Sequence, residues 1–86
     1  MTVSPDYTAF GTNLRKLRRN SVWKTQEVFA RRVGMDRSYI SGLESGRRNP
    51  TLDAIVKLAD GLGVHPGELL KTQPRVPLTS KGQPTG

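Results

Sequence analysis

Apolar residues recur along this chain at helical spacing, and no stretch shows the strict alternation of a half-buried strand. Phe10, Leu14 and Leu17 fall three and four apart and predict a first helix, with Thr8 as its cap and an end near Asn20. Ser21 to Lys24 interrupt the pattern with two adjacent bulky residues, Val22 and Trp23. Thr25 is placed to cap a second helix that turns Phe29, Ala30 and Val33 inwards and stops at Gly34. Asp36 is the expected cap of a third helix, held by Ile40 and Leu43 and ended by Gly46. Leu52, Ile55, Val56, Ala59 and Leu62 form the clearest amphipathic stripe, which follows Pro50 and Thr51 and is expected to be stopped by Gly61 and Gly63. Pro66 opens a last short turn expected to bury Leu69 and Leu70. The prediction is an all-α fold of five short helices around one core.

The two ends read differently. Residues 74–86 contain Pro74, Pro77 and Pro84, with only Val76 and Leu78 as larger apolar residues, too little to offset the entropy of ordering. Residues 1–7 are expected to be a flexible N-terminus, residues 8–71 the compact domain, and residues 72–86 a flexible tail. With 86 residues, a single domain is the expectation.

Charge changes this picture. The chain carries 14 Lys and Arg against 7 Asp and Glu, a net +7. The excess is not uniform. Arg15, Lys16, Arg18, Arg19 and Lys24 form one block with no acid among them, and Arg47 and Arg48 form a second. Between them the charges of residues 25–46 balance, and residues 51–70 lean acidic. Two basic blocks flanking a neutral helical middle point to a polyanionic partner.

Candidate chemistry narrows further. No cysteine and one histidine leave no disulfide and no soft-ligand metal cage, so neither metal nor cofactor is expected. Ser38 and Ser41 have no neighbouring His or Lys to activate them, and no glycine loop carries the Lys-Ser/Thr signature of a phosphate cradle, so an enzyme is not supported. His65 is expected at a helix cap, and Asp53, Asp60 and Glu68 on solvated faces. No secretory leader and no apolar run of membrane-spanning length is read, and a cytoplasmic protein is expected.

The segment 26–45, QEVFARRVGMDRSYISGLES, is the informative one. Two short helices meet at Val33-Gly34-Met35, and small Ala30 lies where the second must approach the first. Ile40 and Leu43 anchor the second helix from below, leaving Arg37, Ser38, Ser41 and Gly42 on its outer side. A helix-turn-helix needs this arrangement to push one helix into the major groove of DNA.

The chain resembles regulators of the phage Cro and repressor type, the XRE family. The resemblance runs from Phe10 to Leu70, through LRKLRR at 14–19, TQEVFARRVG at 25–34, RSYISGLESGRRNPTL at 37–52, and KLADGLGV at 57–64 followed by GELL at 67–70. It implies a compact, lambda-repressor-like DNA-binding domain that places the helix over residues 36–45 in the major groove of double-stranded DNA, as a homodimer. The resemblance puts Arg37, Ser38, Ser41 and Gly42 at base-reading positions. Arg37 is the strongest reader, because a guanidinium can pair bidentately with O6 and N7 of guanine. Gln26, Tyr39, Arg47, Arg48 and Asn49 fall where relatives touch phosphates. Arg18 matches an arginine that pairs with the glutamate at Glu44. The turn 21–24 is about one residue longer than the common spacing, however, which leaves Arg19 as the alternative partner. Gly42 stands where many relatives have a side chain.

Within this resemblance the expected role is an autoregulating repressor or a restriction–modification controller, with residues 60–71 as the dimer contact. An antitoxin that neutralises a toxin partner, with residues 74–86 as its arm, is the alternative. A non-specific architectural protein is a third reading.

Overall fold

The computed structural model describes residues 7–71. The expectations for the two ends at 1–6 and 72–86, including the antitoxin arm, lie outside the described residues. Five helices follow in order: α1 (Thr8–Arg19), α2 (Gln26–Val33), α3 (Arg37–Glu44), α4 (Leu52–Leu62) and α5 (Pro66–Leu69). No strand occurs among the described residues. The α1 and α2 helices both pack on α3, while α4 packs on α2 and α5, and α5 closes back onto α1.

The caps explain where most helices start. Thr25 and Thr51 have extended backbones, and their hydroxyls accept from the Val28 and Ala54 N–H groups at 3.1 and 3.0 Å. Such a cap contributes about 1 kcal/mol. The first helix differs from expectation: Tyr7 holds the cap position without a side-chain bond, and Thr8 is already inside the helix. Asp36 and His65 occupy cap positions with extended backbone, although neither side chain caps.

The core is built from Phe10 and Leu14 of α1, Phe29 and Ala30 of α2, Ile40 and Leu43 of α3, Ile55, Leu58 and Ala59 of α4, and Leu69 of α5. Leu17, Trp23, Val33, Met35, Tyr39, Leu62 and Val64 pack around it. Three positions expected inside are outside: Leu52, Val56 and Leu70 are 76, 48 and 55% exposed. The fourth helix instead buries Ala54, Ile55, Leu58 and Ala59, and it runs on through a buried Gly61, so that Gly63 alone ends it. Its apolar residues are too many for one stripe, so those at 52 and 56, one turn apart, are left on the flank.

Gly11 sets the distance between α1 and α3. A Cβ there would lie 2.6 Å from the Glu44 carbonyl oxygen and 2.8 Å from its carbon. Only a residue without a side chain lets α1 press directly onto the backbone of α3. Asn13 extends the same helix towards α5, donating to the carbonyls of Glu68 and Leu69 at 2.6 and 2.9 Å. Among the described residues, no helix is long and apolar enough to cross a membrane.

Candidate nucleic-acid interface

The turn between α2 and α3 fixes the angle at which α3 is presented. Gly34 ends α2 at φ 71°, a left-handed conformation that other residues adopt only at a cost. The Met35 N–H then returns to the Ala30 carbonyl at 2.9 Å, closing the helix end. The Asp36 carbonyl accepts from the N–H groups of Tyr39 and Ile40, both at 3.1 Å, and α3 begins.

Beneath α3, Glu44 organises three helices. Its carboxylate is buried and accepts from Arg18 Nε at 2.6 Å and Arg18 Nη2 at 3.1 Å. Gln26, the first residue of α2, donates its Nε2 to Glu44 Oε1 at 3.0 Å. Arg15 Nε stands 3.5 Å from the same oxygen. Arg18 also donates through Nη1 to the Lys24 carbonyl, tying the α1–α2 turn to the cluster. Burial alone would push the Glu44 carboxyl up. The hydrogen bonds of Arg18 and Gln26, with the charges of Arg18 and Arg15, outweigh it and hold the group below its ordinary value.

The long turn therefore does not shift the pairing to Arg19. Ser21 Oγ donates to the Arg18 carbonyl at 2.6 Å and accepts from the Trp23 N–H at 2.9 Å. Lys24 Nζ donates to the carbonyls of Arg19 and Ser21 at 3.0 and 2.9 Å. The extra length is taken up in a turn bonded to itself, while Arg18 keeps its register. Trp23 folds against the core, with the Arg32 guanidinium 5.0 Å from its ring centroid.

The outer side of α3 is open at Arg37 and Ser38, half-buried at Tyr39 and Ser41, and closed at Gly42. Arg47, Arg48 and Asn49 are exposed in the loop that follows. The Gly42 carbonyl oxygen anchors that loop, accepting from the N–H groups of Arg47 and Arg48 at 3.0 and 3.2 Å and from Ser45 Oγ at 3.1 Å. Exposed Arg15, Lys16 and Arg19 continue the positive charge along α1. The structure thus brings the base-reading candidates together on one helix. It places Arg47, Arg48 and Asn49 at the end of that helix, and Gln26 beneath it. Arg15 in the Glu44 cluster was not legible in the sequence, where it reads as one more charge in a basic block.

A helix-turn-helix family model matches residues 14–69, spanning all but the start of α1. The chain belongs to the XRE-type helix-turn-helix family. It is 42% identical over 60 residues to the control protein C.MunI of a Mycoplasma species, covering 70% of this chain and 81% of that one. With the control protein C.BamHI of Bacillus amyloliquefaciens it shares 41% identity over 61 residues, covering 71% and 75%. Among solved structures, the restriction–modification controller protein C.AhdI of Aeromonas hydrophila superposes with a TM-score of 0.70 at 44% identity, covering 73% of this chain and 94% of that one. The chain is therefore a helix-turn-helix DNA-binding transcriptional regulator, similar to restriction–modification controller proteins and not an enzyme.

Proposed function

We propose that this helix-turn-helix regulator is the controller of a restriction–modification operon, binding a sequence-specific operator in double-stranded DNA upstream of its own gene. The observation that carries this reading is α3 itself: a short helix with Arg37 and Ser38 exposed, bolted from beneath by Glu44 and flanked by basic residues. Its rigidity matters because base readout requires donors held in fixed register. Arg37 pairs with a guanine, while Ser38 and Ser41 bond neighbouring base edges. Gln26, Tyr39, Arg47 and Asn49 contact phosphates, which sets position without carrying sequence information. The similarity to control proteins supports the operon context.

The regulator acts as a homodimer joined through residues 60–71 and the adjacent flank of α4. Leu52, Val56 and Leu70 leave apolar surface exposed on these elements, as a dimer contact requires. Two copies then present their α3 helices one DNA turn apart, about 34 Å. Footprinting on the DNA upstream of the gene tests this reading. Two symmetry-related protected half-sites with that spacing are expected, and a lone half-site or an unbounded footprint would refute the dimer.

A further inference from the structure

Ser38 and Gly42 are four residues apart on α3 and therefore lie on the same face, one turn above the other. Yet Ser38 is exposed and Gly42 is buried. On the side where a Cβ would stand, the side chain of Arg48 lies against Gly42: a Cβ at position 42 would lie 2.6 Å from Arg48 Cγ, with Nε and Cδ at 3.5 and 3.6 Å. From there the guanidinium reaches the ring of Tyr39, 5.5 Å from its centroid, while Arg48 as a whole stays exposed. The backbone of Arg48 is fixed as well, its N–H bonded to the Gly42 carbonyl at 3.2 Å.

By family resemblance, Arg48 falls among the phosphate contacts. We infer that Arg48 is instead a second base-reading residue of the recognition surface, laid across α3 in a slot that exists because residue 42 is glycine, with Tyr39 as the platform that holds its guanidinium. The inference rests on the proposal that this protein reads an operator in the major groove. Glycine within a helix costs about 1 kcal/mol relative to alanine, and the slot accounts for it. A side chain at position 42 would lift the arginine off the helix.

Geometry also separates the two arginines. Arg37 and Tyr39 are two residues apart and project about 200° from each other around the helix. Arg48, stacked at Tyr39, thus stands across the Ser38 ridge from Arg37, and the two address different base pairs. A guanidinium stacked on an aromatic face keeps its edge N–H groups for bidentate pairing, so guanine is the base expected for Arg48.

The test is selection of preferred sites from a randomised duplex library by the wild-type protein, followed by affinities for every single-base variant of the selected site. Arg48→Ala should lower discrimination at one base pair, distinct from the one relaxed by Arg37→Ala, by about 5- to 150-fold. Arg48→Lys should not restore it. Gly42→Ala should relax the same base pair, and should add nothing further in the Arg48→Ala background. If Arg48→Ala weakens all duplexes equally and lowers the salt slope by about one contact, Arg48 holds a phosphate and the inference is wrong. If Gly42→Ala costs as much with Arg48 absent as present, the slot is wrong. A wild-type protein that selects no sequence, by contrast, overturns the operator reading itself, and this inference with it.

Discussion

Arg18 and Glu44, 26 residues apart in the chain, meet in a two-pronged contact, Nε to Oε2 at 2.6 Å and Nη2 to Oε1 at 3.1 Å. Both side chains are almost wholly removed from solvent, at 5 and 0% exposure. Arg18 is the last residue but one of α1 and Glu44 is the last residue of α3, so the contact joins the basic helix to α3. A buried pair of this kind is costly to break because either partner alone is left as an uncompensated charge. Arg18→Ala should therefore destabilise the fold by about 3–5 kcal/mol, read from denaturant unfolding. A loss below about 1 kcal/mol, typical of surface pairs, would mean that the pair does not hold α3.

The same cluster gives the protein an acid limit. The Glu44 carboxyl is held below its ordinary value in the folded protein, so the unfolded chain binds its proton more readily. The stabilisation is present in full above the ordinary glutamate range and is lost as pH falls through the folded-state value. Unfolding free energies of wild type and Glu44→Gln should thus differ most near neutrality and converge in acid. A difference that stays constant from about pH 7 to about pH 3 would place the wild type's acid sensitivity elsewhere.

Gly11→Ala separates packing from helix propensity. Propensity alone predicts a gain of about 1 kcal/mol for alanine in mid-helix. The new methyl would instead meet the backbone of Leu43 and Glu44, which cannot rotate away. The expected outcome is a loss of about 1–3 kcal/mol and altered amide shifts along α3. An unchanged or raised midpoint would show that α1 and α3 are less tightly apposed.

On the recognition surface, Arg37→Ala should leave the fold intact and cost about 1–3 kcal/mol of discrimination at one base pair. Arg47→Ala should weaken specific and scrambled duplexes alike and flatten the salt dependence by about one phosphate contact. Titrations of both variants on both DNAs at several salt concentrations distinguish the two. An Arg37→Ala variant that keeps the wild-type base preference would remove Arg37 from readout.

Much of this fold is legible in the spacing of apolar residues, because each helix is short and sharply punctuated. Thr25 caps α2 as its chemistry predicts, and Gly34 turns the chain between α2 and α3. The position of α4 is less legible. Leu52 and Val56 are apolar and one turn apart, so periodicity counts them as core, and only packing against α2 and α5 decides which flank is covered. Leu70 is misread for a related reason: α5 ends at Leu69, which fills the core, and Leu70 is left outside as the residue after the helix. The site divides in the same way. Arg37 and Ser38 are readable from their place on the outer face of α3. The choice of Arg18 over Arg19 depends on how the 21–24 turn absorbs its extra length. The relation of Arg48 to Gly42 depends on the path of a side chain, which residue spacing does not encode.

Recognition of a sequence, and not merely of a polyanion, is what the proposed function requires of this protein. Binding to the duplex upstream of its own gene, beside a scrambled duplex of equal length and composition, across several salt concentrations, tests it most directly. A preference of about 10³-fold or more for the upstream duplex is expected, with a large part surviving as salt rises. Equal affinities for both duplexes, falling together with salt, would contradict it.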